Sequence, residues 1–344
     1  MTRLGSAAAI GLQAVSRIAQ LVAVILVIAT FNFVLVRAAP GDPAQVMAGQ
    51  SGASDPKLLD DLRKEYGLDK PYFVQLASHL GRVVRLDLGY SHRQRRPVVD
   101  LILERLPATL LLTVTAFCLA LLIGTALGAL AGLAAGSVLD TVFTVLSLVL
   151  YATPVFWLGL MLVLVFSVTL GWLPPFGYET INVQLSPVEH ALDIMKHMIM
   201  PVTSLAAIYL AIYARLMRSS IIEVAQQDFI KTARAKGLSG TRIVVGHMLR
   251  NALVPVVTVA GMQAGALVGG AVVIETVFAW PGLGRLTFEA LLQRDYPVLL
   301  GIFLILSIVV IALNLLTDLV YRLISRIVAM SFCEPRSCQT YLSS

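Results

Sequence analysis

Apolar positions in this chain form long runs rather than the alternations of a water-soluble fold, and six such runs can be laid out. From Ile18 to Val36 only Gln20 and Asn32 are notably polar, close to the ~20 residues a helix needs to cross hydrocarbon. The later runs are Leu110 to Ala135, Val142 to Leu170 interrupted by Pro154, Met198 to Tyr213, Leu253 to Ile274 closed by Glu275, and Val298 to Thr317. The pattern predicts an all-α integral membrane protein with six transmembrane helices.

Two runs carry glycine in register. Gly124, Gly128, Gly132 and Gly136 recur every four residues in the second, and Gly261, Gly265 and Gly269 repeat the device in the fifth. Glycines so spaced bare one face of a helix and let another helix approach closely. Leu267 is expected on a different face from Gly265.

Between the first and second runs the composition becomes water-compatible. Pro40, Gly41, Asp42 and Pro43 make a turn. Asp55 with Pro56 starts a helix that Gly67 ends, and Pro71 opens another carrying Tyr72, Phe73, Leu76 and Leu80. Asp87, Leu88, Gly89, Tyr90 and Ser91 then turn the chain back. This stretch is predicted to be a small helical extracytoplasmic subdomain. A further external loop holds Trp172, Pro174, Pro175 and Gly177, with Glu179, Glu189 and Asp193 against Lys196. His190, His197 and Met200 in this region form no metal-ligand set, and no metal or cofactor is expected.

Composition supports the membrane reading, since 58% hydrophobic and 13% charged residues depart from the roughly 45–50% and 25% of soluble domains. The net charge of +6 falls beside the apolar runs, where topology and anionic headgroups account for it, so no nucleic-acid partner is implied. Cys118, Cys333 and Cys338 make no disulfide framework. Arg3 and Arg17 precede a first run without a small-residue cleavage site, which reads as a retained anchor.

Charge also orients the chain. Between Arg215 and Asn251 lie Arg215, Arg218, Lys231, Arg234, Lys236, Arg242 and Arg250 against Glu223 and Asp228, which marks a cytoplasmic loop. Asp318, Arg322, Arg326 and Arg336 place the tail, and with it both termini, on the same side. Within the loop Phe229, Ile230, Ala233 and Gly237 recur at helical spacing. Gly237 supplies a left-handed residue to end a first helix, and Ser239 caps a second one running through Arg250.

That stretch resembles the cytoplasmic Glu-Ala-Ala loop of ABC importer permeases. The triplet is here Lys231, Thr232, Ala233, with Gly237 after three more residues, and the general pattern's later Leu-Pro falls on Leu249 and Arg250. The variant Thr232 to Ser239, followed by Leu249 to Leu253 and Pro255, is similar to the dipeptide, oligopeptide and nickel permeases. Asp87 to Ser91, Arg105 to Thr109, and Phe278 with Trp280 to Gly284 resemble the same family. The tail after Tyr321 departs from the expected Asp-Pro-Arg ending.

The resemblance implies a type I ABC importer permease in a bacterial inner membrane. Its implied partners are a second homologous permease, two ATP-binding cassette ATPases, an extracytoplasmic substrate-binding protein and membrane lipid. Lys231, Thr232, Ala233, Ala235, Gly237 and Leu238 are implied to form the ATPase-coupling loop. The organisation expected is an N-terminal region 1–105, a permease domain 106–318 and a cytoplasmic tail 319–344.

Two absences agree with that division of labour. No Gly-x-x-x-x-Gly-Lys-Ser/Thr loop cradles ATP phosphates, and no Asp, Glu, Lys or Arg is placed well inside a predicted span. The expected activity is therefore transport of peptides, or of nickel chelates or another small solute, with ATP hydrolysed elsewhere. A self-sufficient carrier or channel is the alternative of a different class; an enzyme is not expected, because no nucleophile and base are paired.

Overall fold

The computed structural model describes residues 22–34, 69–85, 87–91 and 93–332. The Pro40 to Pro43 turn, the Asp55 to Gly67 helix, the outer residues of the first apolar run, Cys333, Cys338 and Arg336 lie outside them. The helices, in order, are α1 (Val22–Val34), α2 (Tyr72–Val84), α3 (Val98–Leu133), α4 (Val138–Ala152) and α5 (Val155–Leu162), which runs on as a π-helical stretch Val163–Thr169. There follow α6 (Pro187–Ala225), α7 (Asp228–Ala235), α8 (Gly240–Ile243) with a π-helical stretch Val244–Leu249, α9 (Arg250–Val277), α10 (Leu283–Gln293) and α11 (Tyr296–Phe332).

Among the described residues four helices are long and apolar enough to cross a membrane, or five if one bent pair counts as a span. The bent pair falls on the third predicted run. Pro154 is no mere kink there: α4 and the helix from Val155 meet at 105°. Proline disfavours the helical region for its predecessor, and Thr153 is extended at φ −82°, ψ 125°. Pro154 itself lacks an N–H and stands at the N-cap of α5.

Local signals set the other boundaries. Gly136 at φ +83° follows the end of α3, and Ser137 caps α4 by accepting the Asp140 N–H. Ser186 and Glu189 form a reciprocal capping box with Pro187 in the first turn of α6. At 39 residues, α6 extends about 58 Å, well beyond a ~30 Å hydrocarbon core.

Contacts divide the chain into two compact units. One takes Met1–Pro107 with Arg285–Ile311. In it Ala29, Val83 and Leu304 form a small core with Ile25, Leu80, Leu88 and Ile308. A two-stranded antiparallel hairpin, β1 (Tyr90–Ser91) and β2 (Arg96–Pro97), stands where only a turn was expected, and Ser91 donates to Asp295 at its base.

The other unit takes Ala108–Gly284 with Ala312–Ser344 and holds the main core. Its axis is α6, which buries Leu205, Ala211, Tyr213, Met217 and Ile221. The glycines of α3 lie against it. A Cβ at Gly124 would come within 2.8 Å of the Leu210 carbonyl, one at Gly128 would meet the Ala214 carbonyl and Met217, and one at Gly132 would press on Ile221 at 2.8 Å. The fifth run differs from its predicted ridge. A Cβ at Gly261 would strike Thr317, Gly265 is half-buried, and one at Gly269 meets nothing within 4 Å in this chain. Leu267, expected on a different face from Gly265, is 1% exposed and belongs to the core.

Candidate coupling surface

The candidate site is built on the end of α6. Gln227 is extended (φ −71°, ψ 151°), so α7 leaves in a new direction. Asp228 places a carboxylate in its first turn and Arg234 a cation in its last, as the helix dipole favours. Lys231 donates to Asp228 at 2.8 Å, and that bond, with the Lys231 charge, holds the Asp228 carboxyl below the usual carboxylate range.

The far end of α7 closes through a left-handed glycine. Gly237 has φ +76°, its N–H reaches the Arg234 carbonyl at 2.9 Å, and the Leu238 N–H reaches the Ala233 carbonyl at 3.3 Å. This paired pattern is a Schellman motif, in which the residue after the glycine also packs back on the helix. A side chain at Gly237 would find open space, so backbone conformation alone calls for glycine there.

α7 has two faces. Ile230 and Ala233 are buried at 0% and 6% exposure, and Phe229 and Leu238 pack on the same core. Lys231, Thr232, Arg234, Ala235 and Lys236 are exposed. Of the residues that sequence reasoning grouped here, Ala233 thus seats the helix, whereas Lys231, Thr232 and Ala235 are presented outward. Ser239 occupies the N-cap position of α8, but its side chain makes no capping hydrogen bond; its carbonyl instead accepts the Ile243 N–H at 3.0 Å.

An ion pair steadies the same end of α6. Arg218 reaches Asp140 with two nitrogens, Nε at 2.5 Å and Nη2 at 2.8 Å, and the Gly136 N–H donates to the same carboxylate at 2.9 Å. The bend after α3, the start of α4 and α6 are thereby tied together. No local pattern discloses the role of Asp140, because its partner stands 78 residues away.

A second polar centre was missed altogether. Glu275, 0% exposed near the end of α9, accepts from Thr109 Oγ1 at 2.7 Å, and Thr109 Oγ1 accepts the Leu283 N–H at 2.7 Å. Trp280, also fully buried, donates from its indole to the Ala108 carbonyl and stacks edge-on with Tyr178. A Cβ on Gly282 would fall on the Glu275 carboxylate, and one on Gly284 would lie 2.5 Å from Val272 Cα. The turn after α9 is thus wrapped around a carboxylate. The signals for it were two stretches already noted, Ala108 with Thr109 and Trp280 to Gly284, whose mutual contact no local pattern discloses.

Residues 124–329 match the family model described as binding-protein-dependent transport system inner membrane component, and residues 13–113 match the model of its N-terminal part. The chain belongs to the binding-protein-dependent permeases. The permease is 41% identical over 307 residues, 89% of this chain and 95% of the relative, to a putative peptide transport system permease protein of Brucella abortus. It is 40% identical over 323 residues, 87% and 95% of the two chains, to the dipeptide transport system permease protein DppB of Escherichia coli K12. These relatives place it in the dipeptide and oligopeptide branch, a multi-pass component of the inner membrane and a transport subunit rather than an enzyme. Its fold is also that of a chain in the inward-facing MetNI methionine ABC transporter, with TM-score 0.52 and 19% identity over 66% of this chain and 97% of that one.

Proposed function

We propose that this permease forms half of the translocation pathway of an ATP-driven peptide importer and that the outward face of α7 docks on an ATPase subunit. Di- and oligopeptides are the substrate class favoured by relatives named for peptide transport. Six spans, both termini in the cytoplasm and the Pro40 to Asp100 stretch outside complete the reading. A second permease, two ATPases and an extracytoplasmic binding protein make up the assembly.

The observation that carries this reading is the construction of α7. It is seated by Ile230 and Ala233, closed at Gly237, and leaves an exposed rim of Lys231, Thr232 and Ala235. An isolated eight-residue helix would be marginal in water, so seating and closure hold the rim in shape. Alternating access then consists of rigid motions of the α6 end, biased by the state of the ATPase.

The test is dipeptide uptake and substrate-stimulated ATPase activity of the reconstituted complex. Gly237→Val is expected to insert and fold yet to hydrolyse ATP without matching uptake, or to lose the ATPase on purification. Normal coupling in Gly237→Val would reduce the stretch to a basic loop.

A further inference from the structure

α3, α4 and α6 leave between them a shallow open crevice. Its walls include Leu127 of α3, Phe143, Thr144 and Ser147 of α4, and Arg215 and Arg218 of α6. The charges on it do not balance. Arg218 is matched by Asp140, but among the described residues the Arg215 guanidinium meets only the ring of Tyr151, 4.6 Å from its centroid. Asp140 already serves Arg218 and the Gly136 N–H, so the crevice keeps a surplus of one positive charge.

A hydroxyl is also left over. Ser147 is 6% exposed and has no hydrogen-bond partner among the described residues, although it lines the same crevice. A guanidinium and a hydroxyl, both with donors to spare, suit an anionic oxygen group such as a phosphate. The surroundings of the crevice are apolar rather than aqueous, since the outer side of α4 exposes Val142, Val145, Leu146 and Val149. A free anion would have to cross that surface, whereas a lipid brings its own hydrocarbon.

We infer that this crevice binds the phosphate headgroup of an anionic phospholipid, with Arg215 and Ser147 as its donors and the exposed side of α4 against the acyl chains. Arg215 precedes the end of α6 by about 15 Å of helix, which puts it at headgroup depth if that end is cytoplasmic. The leaflet, though not the binding itself, rests on the orientation proposed above. A lipid held there would brace α4 against α6 beside the Asp140–Arg218 pair, and basic pockets between spans recognise anionic headgroups in this way.

The test is native mass spectrometry of the full-length permease, purified in detergent with its co-assembling subunits and titrated with phosphatidylglycerol, phosphatidylcholine or inorganic phosphate. Phosphatidylglycerol is expected to bind in preference to phosphatidylcholine. Arg215→Ala should weaken it roughly fivefold, one cation's worth, and Arg215→Lys should weaken it less. If Arg215→Ala does not assemble, Ser147→Ala carries the expectation at roughly twofold, one neutral hydrogen bond. Arg93→Ala, in the other unit, should change nothing. Equal binding of the two lipids, or binding of inorganic phosphate that displaces the lipid, would overturn the inference, as would unchanged affinity in both Arg215→Lys and Ser147→Ala. Binding in detergent depends on neither topology nor ATP coupling, so those readings can fail without altering this result.

Discussion

Glycine does opposite work in the two turns of the Ala108–Gly284 region. At Gly237 the backbone is left-handed and the surroundings are empty, whereas Gly282 and Gly284 have no positive φ and sit against a buried carboxylate and a helix backbone. The first glycine is there for its conformation, the second pair for their size. A turn of the first kind can be exposed and still well defined; one of the second kind becomes part of the core. The difference suits the docking rim proposed for α7 and a turn packed into the core.

The sharpest break in this comparison should come from the crowded turn. Gly282→Ala drives a methyl into the Glu275 carboxyl group, and the displaced group would leave its Thr109 hydrogen bond; a loss of about 3 kcal/mol is expected. Fluorescence-detected size-exclusion melting of the purified chain checks it, and unchanged melting would mean that the turn has slack. Thr109→Val, which strips a hydroxyl from both Glu275 and the Leu283 N–H, should cost roughly 1–3 kcal/mol in the same assay.

Gly128 extends the contrast to a helix interior. A Cβ there meets the Ala214 backbone, which cannot swing aside as a side-chain tip could, so Gly128→Ala should destabilise by about 1–3 kcal/mol. Gly269→Ala, with open space around it in this chain, should be stable when the permease is alone. If Gly269→Ala nevertheless weakens assembly with the second permease, that face is covered by the partner.

At Gly237 smaller effects on stability and larger ones on coupling are expected. Asparagine tolerates the left-handed region far better than β-branched residues do, so Gly237→Asn should restore much of the coupled uptake lost in Gly237→Val. Equal damage from both would mean that size, not φ, matters there.

The smallest effect belongs to the exposed Asp228–Lys231 pair. Its carboxyl titrates below the ordinary range in the folded chain, so whatever it adds is present above that range and is lost as pH falls through the lowered value. Coupled uptake should be independent of this pair from neutral pH down to about 4, and Asp228→Asn should behave like the parent. A pH dependence near neutrality that Asp228→Asn abolishes would give the pair a role that its exposure argues against.

What could be read from sequence follows the same division. The end of α7 was legible because helix closure by a left-handed glycine is local chemistry, written within Ala233 to Leu238. Four-residue glycine spacing foretold a bare face on α3, but only the fold sets α6 against it and leaves Gly269 uncovered. The Glu275 centre was illegible because Thr109 is 166 residues away, and each residue alone resembles an ordinary span end. That Leu267 is on a different face from Gly265 follows from spacing, but its burial does not, because a helix packed by several neighbours has no single outer face. Pro154 was seen, but a proline does not announce its bend angle, which the packing of α5 on α6 determines.

The central claim is that α7 presents Ala235, and not Ala233, to an ATPase subunit. Single cysteines at these two positions, in a chain with Cys118, Cys333 and Cys338 replaced by serine, can be tested with a short bifunctional thiol reagent in membranes containing the whole complex. Crosslinking of Ala235→Cys to the ATPase, changing in yield when ATP is bound, with none from Ala233→Cys, is the result expected. An Ala235→Cys chain that assembles and transports yet never crosslinks, or a crosslink formed from Ala233→Cys instead, would contradict it.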